Sequence, residues 1–78
     1  MNESHTTFIR HFLEAASLKL EADAIQLETE FAKLPGWDSL ALVSLMIMAD
    51  LEYGKKITVG QVSSCKTIAE LYELCAGQ

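Results

Sequence analysis

Cysteines are few in this 78-residue chain, only Cys65 and Cys75, and they form no CxxC pair. That is too little for a disulfide framework, and no histidine stands at a spacing that would complete a zinc site. Both are read as small, reduced, partly buried side chains. Breakers are scarce too, with one proline and four glycines. With half the residues hydrophobic, this argues against disorder and low complexity. Bases are few: six against eleven acids leave a formal charge of −5. That sign argues against a nucleic-acid backbone or an anionic membrane as partner, and would suit proteins with basic docking patches. No long apolar run exists. The longest, Leu40 to Ala49, is interrupted by Ser44 and as a helix would span about 15 Å, half a bilayer core. Met1 to Thr7 is polar and does not open a signal peptide. The expectation is a cytoplasmic protein with no membrane insertion.

What is present fits one domain, residues 1–78, since a chain this short buries only roughly 60% of its unfolded surface and has no room for two cores. A first helix is expected from about Thr6 to Lys19, with Phe8, Phe12, Leu13 and Ala16 on one face. The stretch Leu20 to Trp37 is mixed. Its Ile25, Leu27, Phe31 and Leu34 are spaced too irregularly for a helix and are expected to pin an ordered crossing loop to the core. Pro35-Gly36 is the clearest breaker, and Asp38 after it is a good N-cap for a second helix reaching about Tyr53, where Gly54 supplies the stop. Lys55 and Lys56 would then lie at the negative end of its dipole. Thr58-Val59-Gly60-Gln61 and Thr67-Ile68-Ala69-Glu70 are capping boxes. The first opens a short helix toward Ser64, weakened by Gly60. The second opens a last helix to about Cys75, with Ile68, Leu71, Tyr72 and Cys75 facing inward. The fold class is all-α: three main helices, one short one, and a long loop between the first two.

Helix two carries an anomaly. Helical rotation puts Leu42, Leu45, Met46, Ala49 and Tyr53 on one side as a core stripe. Leu40, Val43, Ile47 and Leu51 gather on another. No charge occurs between Asp38 and Asp50. Periodicity leaves two readings open: a central helix packed by neighbours on both sides, or an exposed apolar strip that docks partners or an apolar guest.

Ser39 stands at the first turn of this helix. A hydroxyl there is reachable, and a phosphate on it would meet unpaired amides and the positive end of the helix dipole. As a nucleophile it lacks support. A serine needs an oriented base, the only histidines, His5 and His11, lie near the chain start, and no G-x-S-x-G elbow is present. Nor is there an H-E-x-x-H or a P-loop. The chain is read as a non-enzyme. On Asp38-Ser39 alone, a supplementary helix cap is the preferred reading of the serine.

Gly36-Trp37-Asp38-Ser39-Leu40 resembles the phosphopantetheine attachment motif of acyl carrier proteins, in which D-S-L opens the second helix. From Asp38 to Cys75 the chain follows that family's pattern without a gap, and Phe31 matches a core aromatic of its crossing loop. The resemblance implies an acyl-carrier-like four-helix bundle. It implies that Ser39, flanked by Asp38 and Leu40, receives 4′-phosphopantetheine from coenzyme A through a phosphopantetheinyl transferase. The arm would carry acyl groups as thioesters between acyl-loading and acyl-processing enzymes of a lipid (fatty acid), polyketide-like or specialised pathway, with the chain a monomer. Leu40, Val43, Ile47 and Leu51 would match partner-docking positions. Aminoacyl or peptidyl cargo is the alternative from the same class; an unmodified helical interaction module is the alternative from another. Ala41, Ser44 and Leu51 stand where fatty-acid carriers often have acids, and Trp37 is more typical of carriers in specialised or polyketide-like pathways, or of peptidyl carriers. Both departures point toward a dedicated pathway.

Overall fold

The computed structural model describes residues 3–77. Four helices appear in chain order: α1 (Glu3–Ala15), α2 (Ser39–Tyr53), α3 (Val59–Ser63) and α4 (Ile68–Ala76), with two 3₁₀ turns, Ala22–Ala24 and Phe31–Lys33, in the long α1–α2 connection. The all-α, acyl-carrier-like bundle is as expected. Among the described residues there is no strand, only one isolated bridge between Glu30 and Thr67. No helix among them is long and apolar enough to cross a membrane.

Helix α1 is shifted toward the N-terminus relative to expectation, ending four residues before Lys19. The cause is a Schellman closure built on a serine. Ser17 adopts φ +57°, in the left-handed region. Its amide donates to the Glu14 carbonyl at 3.2 Å, and the Leu18 amide donates to that of Leu13 at 3.0 Å. Leu13 and Leu18 are both buried, the apolar contact that accompanies such an end. The buried face of α1 is Phe8, Ile9, Phe12 and Leu13, joined by Ala16 just past its end.

The crossing loop is ordered, as its apolar residues suggested. Ile25 and Phe31 are buried, while Leu27 and Leu34 pack partly buried against the core. Its backbone is also tied to the start of α4. The amides of Ile68 and Ala69 donate to the carbonyls of Thr29 (3.0 Å) and Leu27 (2.9 Å), and the Phe31 amide donates to Lys66 (3.3 Å). These bonds satisfy backbone groups that an irregular segment would otherwise leave to solvent.

Both capping boxes form. The Thr58 hydroxyl accepts from the Gln61 amide and the Gln61 side chain accepts from the Thr58 amide, and Thr67 and Glu70 repeat the exchange. In α4, Ile68, Leu71 and Cys75 are buried, while Tyr72 is half-buried under Phe8 and His5. Gly54 ends α2 in the left-handed conformation, φ +65°. Lys55 reaches across to the Leu74 carbonyl of α4 at 3.4 Å, so it serves the C-terminal end of a neighbouring helix.

Candidate functional site

The segment before α2 is built to turn sharply and stop. The Trp37 amide donates to the Leu34 carbonyl at 3.2 Å, closing a tight turn with Pro35 and Gly36 at its centre. Gly36 has φ +91°, and a Cβ there would come within 2.9 Å of Leu18 Cδ2. Proline first and a positive-φ glycine second is the signature of a type II turn. Asp38 follows in an extended conformation and its Oδ1 accepts from the Ala41 amide at 2.8 Å. Helix α2 thus begins at Ser39, with one of its first four amides satisfied by the cap. Ser39 is exposed, as are Asp38 and Leu40.

Neither histidine can serve this hydroxyl. The His11 Nδ1 lies 3.1 Å from the Tyr53 hydroxyl and its Nε2 lies 3.9 Å from Glu52. Tyr53 closes α2 at the opposite end from Ser39, fourteen residues along, or about 21 Å of helical rise. His5 packs edge-on to Tyr72 of α4, ring centroids 4.6 Å apart. A serine without a base in reach is a point of attachment rather than an attacking group.

The two faces of α2 separate cleanly, though the core face is rotated from the expected stripe. Leu45 and Ala49 are buried as expected, but the other buried residues are Ala41 and Met48, while Leu42, Met46 and Tyr53 are half-buried at the edge. Of the other helices, α1 packs most extensively against α2. Ala41 is only 3% exposed, so its lack of charge is a matter of packing and not of the outer surface. Leu40, Val43, Ile47 and Leu51 are 73%, 47%, 55% and 77% exposed. These four side chains are therefore exposed and not packed between neighbouring helices. Val59 at the start of α3, 49% exposed, was missed. A lone valine in a capping box gives no periodic signal. A shallow groove of about 280 Å³ runs between α1 and α2, with His11, Glu14, Ser44, Ile47, Met48 and Leu51 among its walls. It is open and slightly smaller than the range of roughly 300–1,000 Å³ usual for pockets that bind free ligands.

Both cysteines are free thiols. Cys75 is buried in the core, where desolvation, reinforced by the nearby Cys65, pushes its pKa up to about 11 despite an opposing effect of Lys55. Cys65 is raised as well, by burial and then by the Glu70 charge, and its Sγ donates to the Gln61 carbonyl at 3.4 Å. Among the described residues no cluster of histidine, cysteine and acidic side chains could hold a metal ion.

A family model described as the phosphopantetheine attachment site matches residues 13–75. The chain belongs to that family. No curated protein and no solved structure matches it. Membership makes the chain a carrier of covalent 4′-phosphopantetheine and not itself a catalyst, which sets aside the unmodified interaction module. The residues at the start of α2 fit such a group. An exposed hydroxyl stands where a phosphodiester would meet the free amides and positive end of a fifteen-residue helix. Carriers of this family are served by a phosphopantetheinyl transferase and by acyl-processing enzymes.

Proposed function

We propose that Ser39 bears the 4′-phosphopantetheine arm and that the chain carries acyl groups on it as thioesters. A phosphopantetheinyl transferase would join the arm's phosphate to the Ser39 oxygen, releasing adenosine 3′,5′-bisphosphate from coenzyme A. The terminal thiol then accepts an acyl group and yields it to the next enzyme. The observation that carries this reading is the exposed Ser39 at the capped start of α2, in a chain whose family is defined by that attachment. Asp38 fixes the first turn by capping it, and Leu40 is the first member of the apolar strip beside the arm.

Leu40, Val43, Ile47 and Leu51 form the surface on which partner enzymes dock. Because α2 has no charge between Asp38 and Asp50, docking rests on apolar burial and changes little with ionic strength, whereas docking between an acidic helix and a basic patch weakens as salt screens it. This favours a pathway with dedicated enzymes, in lipid, polyketide-like or other specialised synthesis, over the housekeeping fatty acid set. The test is conversion with coenzyme A and a broad-range transferase, followed by loading with a panel of acyl and aminoacyl donors, read by intact mass. Gain of the arm and then of acyl groups supports the reading. Loading by aminoacyl donors alone would make it an aminoacyl carrier, and no gain under conditions that convert a control carrier would defeat it.

A further inference from the structure

We propose that Trp37 is a positioning residue for the modification of Ser39: it anchors the turn that offers the serine hydroxyl to the transferase. The proposal rests on the reading of Ser39 as the attachment residue. Pro35, Gly36, Asp38, Ser39 and Leu40 are all exposed, and Trp37 is the one side chain in this stretch that packs inward. Its indole lies stacked on Phe12 of α1, centroids 5.8 Å apart and planes 20° apart. It also meets Phe31 of the second 3₁₀ turn edge-on at 5.1 Å and 75°. Phe12 and Phe31, both buried, are themselves in edge contact at 6.4 Å. Offset-stacked and edge-to-face pairs at these separations are directional, so the three rings fix the orientation of Trp37 as well as its depth.

That orientation passes to Ser39 through two backbone devices. On one side, the Trp37 amide closes the turn onto Leu34. On the other, Asp38 caps α2. With only one residue between Trp37 and Ser39, the indole ties the N-terminal side of the reacting hydroxyl to the core, as the buried Ala41 does on the helix side. Without the indole, the turn keeps a glycine at φ +91° and a single backbone bond, and samples other shapes. A transferase would then bind only the fraction of molecules holding the productive one, and apparent affinity falls by that fraction. The loss should appear in KM, with kcat largely retained, because the bound carrier has already been ordered.

The test compares Trp37→Ala, Trp37→Phe, Ser39→Ala and Leu71→Ala as transferase substrates, at a temperature where each variant is folded by circular dichroism. Leu71 is fully buried in α4 and controls for lost stability. Trp37→Ala should raise the transferase KM on the order of tenfold, as when about one molecule in ten holds the productive shape. Trp37→Phe, which keeps a ring on Phe12, should stay near wild type, and Leu71→Ala should leave KM unchanged. Should Trp37→Ala not fold, Trp37→Leu, apolar but without a ring to stack, carries the same expectation. An unchanged KM in the ring-deleted variant, or an equal rise in Leu71→Ala, overturns the proposal while leaving Ser39 as the attachment residue. A mass gain that persists in Ser39→Ala instead overturns the reading of Ser39, and this proposal with it.

Discussion

Leu45 and Ile47 lie two residues apart on α2, and truncating each to alanine should have opposite consequences. Leu45 is fully buried between α1 and the rest of the core, and Ile47 is 55% exposed. Leu45→Ala removes buried methyl groups and leaves a void, at a cost of about 2–5 kcal/mol. A domain of this length has roughly 4–12 kcal/mol of stability in all. Each kcal/mol corresponds to about 4–8 °C in Tm for a domain of this size, so Leu45→Ala should melt at least about 8 °C lower. Ile47→Ala loses only a partly buried side chain and gains helix propensity, a few tenths of a kcal/mol in the opposite direction. Its net effect should stay within about 0.5 kcal/mol, as for most surface changes. Thermal denaturation followed by circular dichroism reads both, and acyl transfer with a cognate enzyme reads function. Ile47→Ala should slow transfer by raising the partner's KM while Tm holds. A fall in Tm for Ile47→Ala equal to that of Leu45→Ala would refute the separation of α2 into a core face and an exposed face proposed for docking.

Three further outcomes follow from the caps and the thiols. Asp38→Ala leaves the Ala41 amide without its 2.8 Å acceptor and should cost about 1 kcal/mol, read as a Tm loss, with Asp38→Asn restoring most of it. The Glu70 carboxylate accepts from the Lys66 and Thr67 amides, which hold its pKa below the ordinary value. Its stabilisation of α4 is therefore present above the ordinary glutamate range and lost as pH falls through the depressed value. Glu70→Gln should flatten that part of the acid-unfolding curve. Cys75, with its pKa raised, stabilises the fold fully below the ordinary thiol value near 9, and this is lost as pH rises toward about 11. Cys75→Ala should remove that component of alkaline destabilisation, and at neutral pH a thiol alkylator should label the pantetheine sulfur well before Cys75.

Where the sequence was legible, one residue type carried one physical role. Asp38, Thr58 and Thr67 each accept a backbone amide three residues on, Gly54 supplies a left-handed stop, and all four boundaries stand where those residues predict. The end of α1 was not legible because Ser17 takes a conformation that usually calls for glycine or asparagine. Leu18, whose amide closes that end onto Leu13 and whose side chain lies close to Gly36, falls outside the helical period of α1. The α2 core face was misplaced by its own uniformity. With apolar residues on nearly every side, periodicity cannot choose the buried arc, and the choice falls to the tertiary packing of α1, α3 and α4 around it. The candidate attachment residue was legible through its neighbours, but the ring cluster beneath it was not. Phe12, Phe31 and Trp37 come from three separate segments and meet only in the folded chain.

The central claim concerns one oxygen atom, and peptide mapping addresses it directly. After incubation with coenzyme A and a phosphopantetheinyl transferase, the digested protein should carry a single phosphopantetheinyl group on the peptide containing Ser39, with fragmentation placing it on that residue. The same group found on Ser44, Ser63 or Ser64, or none at all on a chain that retains its helical circular dichroism, would contradict the account.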